Sequence, residues 1–116
     1  ARALAHLSVL GAAPLAAVIR RHAHVYADLS ALYYRPWQFY NSMRLLVEYR
    51  TEDKVLFGSD YPFTTTGSSL EGVRGINAIV AQSGLPAIPS EALEGIIYRD
   101  TLKLLGLPNP AEKAVV

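Results

Sequence analysis

The sequence predicts a single α/β domain built on parallel strands. Three observations carry that expectation. β-rich stretches alternate with helical stretches along the whole chain, which is the rhythm of βαβ units. The stretch "KVLFGSD" (54–60) is apolar on both faces, as strands of a covered parallel sheet are. With 116 residues, 51% of them hydrophobic, and a formal charge of +1, the chain has the size and balance of one globular domain.

The elements follow in order. Residues 3–10 fit either a short strand or the start of a helix. Pro14 opens "PLAAVIRRHA", where Leu15, Val18 and Ile19 fall at helical spacing. "HVYADLS" (24–30) is short and β-rich, so it reads as a strand. "RPWQFYNSMRLLVEYR" carries Pro36 where a first helical residue tolerates it, and Phe39, Met43, Leu46 and Val47 make its apolar face up to Arg50. "KVLFGSD" is the next strand and "TTTGSS" a loop. Ser68 with Glu71 forms a capping-box pattern for a helix running to Ser83, stopped by Gly84 and Pro86. Ser90 after Pro89 caps a last helix through Leu105, and Gly106 and Pro108 end it. Residues 109–116 form a frayed, flexible tail. Two or three parallel strands leave sheet edges open, so the chain is either a small α/β domain or part of a larger sheet.

Composition narrows the function classes. A charge of +1 gives no electrostatic case for nucleic acid or for an anionic membrane. Cysteine is absent, which removes disulfides and thiolate metal sites and agrees with a cytoplasmic location. Apolar runs break well before the roughly 20 residues that span a bilayer. The start "ARALAHLSVL" lacks a cleavage pattern, and a first residue other than Met suggests processing or a trimmed chain. No Gly-rich phosphate loop, nucleophile elbow or nucleotide fingerprint is present.

Asp60 stands out by position. Functional groups of parallel sheets and barrels collect at the carboxyl ends of strands, where a carboxylate serves as metal ligand or general base. The structural alternative is that Asp60 caps the turn made by Tyr61 and Pro62. "HAH" (22–24) has the spacing of a metal pair. It lies at the amino end of its strand, however, and reads as a solvated junction with Arg20 and Arg21. His6 follows a short apolar run, as a His at a strand's carboxyl end would, although a lone His is more often structural. Asp28 sits within its strand as a structural carboxylate, while Ser30 near the end could face a substrate. Trp37, Phe39 and Tyr40 belong to helix packing, and Tyr33 and Tyr34 could line a pocket mouth.

"HVYADLSA", the aromatic-rich helix after it, "EDKVLFGSDYPF" and the closing "LKLLGL" together resemble the carboxyl-terminal part of the amidohydrolase-related enzymes. The resemblance runs from Gly11 to Leu107 and is most specific at "VLFGSDYPF". The branch resembled includes aminocarboxymuconate-semialdehyde decarboxylase and the resorcylate-type decarboxylases, alongside hydrolases of lactones and amides. It implies two to three βα units from the carboxyl end of a TIM-like (β/α)8 barrel. It also implies a divalent metal, most often zinc, and a small carboxylate, amide or lactone substrate. Asp60 matches the Asp that ends the family's eighth strand and binds or faces the metal. His6 matches a strand-six His, with Ser8 in place of the usual Gly. Ser30, Tyr33 and Tyr61 are then the candidate substrate contacts.

The departures from the family matter equally. The family's His-x-His pair and its strand-five His have no counterpart here, and such a barrel needs about 250 residues. This stretch by itself is therefore expected to be inactive and to pair with a second copy or with the rest of a barrel. Two other readings remain open: a non-catalytic, self-associating α/β fragment, and a small ligand-binding α/β module.

Overall fold

The computed structural model describes residues 3–6 and 12–113, with side chains described over 13–111. Three strands, β1 (Ala3–His6), β2 (Val25–Asp28) and β3 (Val55–Leu56), form one parallel sheet in the order β1-β2-β3. Helices α1 (Ala12–Arg21) and α2 (Pro36–Glu48) make the first two connections. After β3 come α3 (Thr66–Arg74), α4 (Ser90–Tyr98), α5 (Thr101–Leu104) and α6 (Pro110–Lys113). The α/β reading holds, and the undecided start resolves into a strand at Ala3–His6.

Successive strand residues face opposite sides of a sheet. Ala27, Leu29 and Val55 point into the core with Ala16 and Ile19 of α1, Phe39, Met43 and Leu46 of α2, and Ile96 of α4. Tyr26, Asp28 and Leu56 alternate with them and face the other side. The helices thus form one layer, with α1 on β2, α1 on α2, α4 on β3, and α3 on α4.

Several boundaries differ from the sequence expectation, each for a local reason. β3 is only two residues long, because a 3-10 turn at Glu52–Lys54 leads into it and the chain turns away after Phe57. α3 begins earlier than expected: the capping box is Thr65 with Ser68, not Ser68 with Glu71. The Thr65 side chain accepts from the Ser68 amide, and Ser68 answers to the Thr65 amide. α3 stops at Gly75 rather than Ser83, and a 3-10 turn at Ile76–Ile79 follows.

Asn77 in that turn clamps the extended segment before α4. It donates to the Ile88 carbonyl and accepts the Ile88 amide, both at 2.8 Å. Ser90 is the first residue of α4 without a capping hydrogen bond, and Pro89 occupies the cap position. The long last helix is broken at Arg99, which is extended, and Asp100 recaps α5 by accepting from the Lys103 amide at 3.0 Å. Pro110–Lys113 makes one helical turn within the segment expected to fray.

Candidate functional site

Parallel pairing brings all three carboxyl ends to one side of the sheet. Register sets His6, the last residue of β1, opposite Asp28, the last of β2, and Asp28 opposite Leu56, the last of β3. The Leu29 amide donates to the Leu56 carbonyl at 3.2 Å and extends that ladder by one bond. Gly58, Ser59 and Asp60 then leave β3 at the same end as Ser30 and Tyr33 leave β2. The side chain of His6 and residues 7–11, which include Ser8, lie outside the described residues.

Asp28 is half-buried and turns back on the loop it starts. Its Oδ1 accepts the Ser30 amide at 2.8 Å and also the Ser30 hydroxyl. The hydroxyl proton of Ser30 is therefore committed to Asp28, and only its oxygen lone pairs remain to meet a substrate. Gly58 passes directly over this pair. A Cβ at Gly58 would collide with Ser30 Oγ and lie 3.1 Å from Asp28 Oδ1. Glycine is what lets the two strand-end loops touch.

Tyr33 is buried, with 6% of its surface exposed, and its ring lies edge-on to Phe39 and stacked on Phe57 at 5.6 Å. Among the described residues its buried hydroxyl makes no well-formed hydrogen bond, although the Gly58 backbone lies near enough to act on it. Burial pushes the phenol pKa up; the Gly58 backbone pulls it down and the Asp28 carboxylate raises it further. Tyr33 therefore stays a neutral donor over the physiological range.

Asp60 is exposed and adopts φ 64, in the left-handed region that Asp tolerates better than most residues. The turn after it is closed by its backbone: the Phe63 amide donates to the Asp60 carbonyl at 3.0 Å. The Thr64 hydroxyl closes the same corner on the Ser59 carbonyl. Among the described residues the Asp60 carboxylate makes no hydrogen bond or ion pair, so turn-capping does not account for it. Tyr61 and Phe63 beside it are 77% and 82% exposed, a costly placement for aromatic rings in a corner with no chemistry.

A cavity of about 230 Å³ lies between the loop after β2 and the start of α3, lined by Tyr33, Tyr34, Thr64, Ser68 and Ser69. Tyr33 and Tyr34 were expected at a pocket mouth, whereas the hydroxyls were not. The signal for them in the sequence is the run of hydroxyl residues in "TTTGSS", which follows a strand's carboxyl end. His22 and His24 are exposed at the amino end of β2, as the sequence reading placed them.

A catalytic zinc takes three protein ligands. Among the described residues no three His, Cys, Asp or Glu side chains converge to hold a metal. The described residues alone therefore do not fit a metal.

No curated protein and no solved structure matches the chain. A sequence model for the family described as amidohydrolase matches residues 3–107, which takes in all three strands, the Asp28–Ser30–Gly58 contact and Asp60. The chain belongs to the amidohydrolase family.

Proposed function

We propose that this chain supplies the carboxyl-terminal βα units of a (β/α)8-barrel amidohydrolase. The reaction is hydrolysis of an amide, lactone or ester bond, or non-oxidative decarboxylation of a small carboxylate. The observation that carries the proposal is the free Asp60 carboxylate at the carboxyl end of a parallel sheet, in a chain of this family. The one-sided helix layer supports the barrel reading, because a barrel keeps its helices outside and its other sheet face inward.

In this reading Asp60 is the proton acceptor for water or substrate. Asp60 and His6 would be this chain's share of the ligands if a divalent metal, zinc in the enzymes it resembles, were held with further ligands from other strands. Ser30, Tyr33 and Tyr61 border the substrate: Ser30 as an acceptor, Tyr33 through the wall of the cavity, and Tyr61 as a cover. No helix among the described residues is long and apolar enough to cross a membrane, and a cytoplasmic site of action is part of the proposal. The 230 Å³ cavity favours a second reading, a small ligand-binding module without catalysis.

The test is Asp60→Asn in the full-length protein, with metal content, turnover and melting temperature measured together. The expected outcome is a loss of about 10²–10⁴-fold in rate at nearly unchanged stability. Asp28→Asn, which weakens the contacts to Ser30, is expected to lower stability and spare much of the rate. An active Asp60→Asn beside a stable but inactive Asp28→Asn would assign the chemistry to the wrong strand. The 116-residue chain alone is expected to turn over no lactone, amide or carboxylate above a metal-free control.

A further inference from the structure

Among the described residues no side chain holds the Asp60 carboxylate, so its direction is set by the backbone that carries it. That backbone is a tight corner, with Asp60 at φ 64. A side chain held in this way is only as well placed as its loop, and a displacement of about 1 Å at a reacting group can cost about 100-fold in rate.

Thr64 closes the corner and ties it to a helix. Its hydroxyl donates to the Ser59 carbonyl, so a single side chain joins the two ends of the turn that carries Asp60. Inside that turn the Phe63 amide donates to the Asp60 carbonyl at 3.0 Å. On its other side Thr64 Oγ1 lies 3.4 Å from the hydroxyl of Ser69, a residue only 1% exposed. A hydroxyl has one proton to give, and Ser69 gives its own to the Thr65 carbonyl at 2.8 Å. Thr64 is thus packed against the first turn of α3, whose cap is Thr65. α3 in turn lies hard against the loop after β2, where a Cβ on Gly72 would come within 2.8 Å of Tyr33 Cβ. The corner is fastened at both ends, through β3 before it and through Thr64, Ser69 and α3 after it.

We propose that Thr64 is a positioning residue: its hydroxyl, on the Ser59 carbonyl, holds the corner shut and so fixes the direction of the Asp60 carboxylate. The inference rests on the reading of Asp60 as proton acceptor for its use, and on the hydrogen bonds alone for its mechanics.

Two measurements on the full-length protein test it, with Thr64→Val, Thr64→Ser and Ile19→Val. Valine keeps the shape of threonine and removes the donor, whereas serine keeps the donor. Ile19, fully buried in α1, controls for lost stability. The first measurement is hydrogen exchange over residues 59–64, which reads the corner without any substrate. Thr64→Val is expected to exchange about five- to tenfold faster than wild type, with Thr64→Ser and Ile19→Val close to wild type. The second is turnover of para-nitrophenyl acetate for hydrolysis and of a dihydroxybenzoate for decarboxylation. Thr64→Val is expected to lose about 10–100-fold in kcat, with Thr64→Ser within about threefold of wild type. In an Asp60→Asn background the same Thr64→Val change is expected to cost nothing further, because no carboxylate is left to place.

Unchanged exchange in Thr64→Val overturns the inference, and so does faster exchange with wild-type turnover. A loss in rate that is as large in the Asp60→Asn background also overturns it, since Thr64 would then act on the fold and not on Asp60. An Asp60→Asn variant as active as wild type would instead sink the proposed chemistry. In that case, or where the wild type consumes neither compound, exchange alone decides whether Thr64 closes the corner. If Thr64→Val does not fold, Thr64→Ala takes its place in both measurements.

Discussion

The two ends of the sheet differ in how side chains meet their polar groups. At the amino end several backbone acceptors are met by side chains, although Glu52 Oε2 is buried there without a partner among the described residues and Arg50 holds φ 56. The Lys54 ammonium binds the carbonyls of Ile19 and His22, both at 2.5 Å, and lies 5.7 Å from the Tyr26 ring. Arg99 meets Val55, and the buried Thr51 returns both its amide and its hydroxyl to the Leu46 carbonyl. At the carboxyl end, among the described residues, the Asp60 carboxylate has no partner, the buried Tyr33 hydroxyl makes no well-formed hydrogen bond, and Ala31 and Asp60 hold φ values of 65 and 64. Local strain and unmet polar groups persist only where surrounding structure holds them. The difference teaches that the helix layer and the amino end supply stability, and that the carboxyl end is free to serve a ligand.

The largest stability effect is therefore expected at the amino end. Lys54→Met keeps much of the aliphatic stem but removes two charge-assisted bonds at the end of α1, where a cation also meets the helix dipole. Such bonds are worth about 1.5–3 kcal/mol in all, toward the low end because Lys54 is half-exposed. A melting temperature lower by roughly 5–10 °C is expected. Unchanged melting would mean that this end is not the stabilising one.

Gly58→Ala probes the opposite end, with an expected cost of the same order. The added methyl must displace Ser30 from Asp28, and overpacking of this kind costs about 1–3 kcal/mol. Ser30→Ala in the same chain removes the colliding oxygen, so the double variant should recover part of the loss. Additive losses in denaturant melts would show that the two loops do not press on each other.

Much of this contrast could be read from the sequence, and its limits are instructive. The run from Val55–Leu56–Phe57 into Gly58–Ser59–Asp60 signals a buried strand delivering a carboxylate, since apolar pattern and turn residues are local information. The reading of "HAH" as a surface junction rested on chain order alone, and exposed His22 and His24 agree with it. Ser68 with Glu71 matches the S-x-x-E capping pattern, whereas the box the chain forms, Thr65 with Ser68, has a serine at the third position and falls outside that pattern. The break at Arg99 was hidden because Ile96, Ile97, Leu102 and Leu105 keep an apolar helical face across it. Its cause is tertiary: the arginine is drawn to a strand carbonyl far away in the chain. The Gly58–Ser30 contact and the burial of Tyr33 likewise exist only once β2 and β3 lie side by side.

Tyr33→Phe carries the smallest expected effect and the sharpest sign. Burial holds the phenol pKa above its ordinary 10.0, so the folded chain keeps a proton that the unfolded chain releases at lower pH. The stability this provides is fully present below about pH 10 and is lost as pH rises beyond it. Removing the hydroxyl removes that dependence. It also removes a buried polar atom that makes no well-formed hydrogen bond among the described residues, so at neutral pH the variant should match wild type or exceed it by up to about 1 kcal/mol. Denaturant melts at neutral pH and near pH 11 check both statements, with the wild type losing more stability than Tyr33→Phe on the alkaline side. A variant weaker by more than about 1 kcal/mol at neutral pH would mean that the hydroxyl finds a partner in the working protein. The carboxyl end would then be as fully satisfied as the amino end, and the contrast between them would fail at the residue where it is most exposed to test.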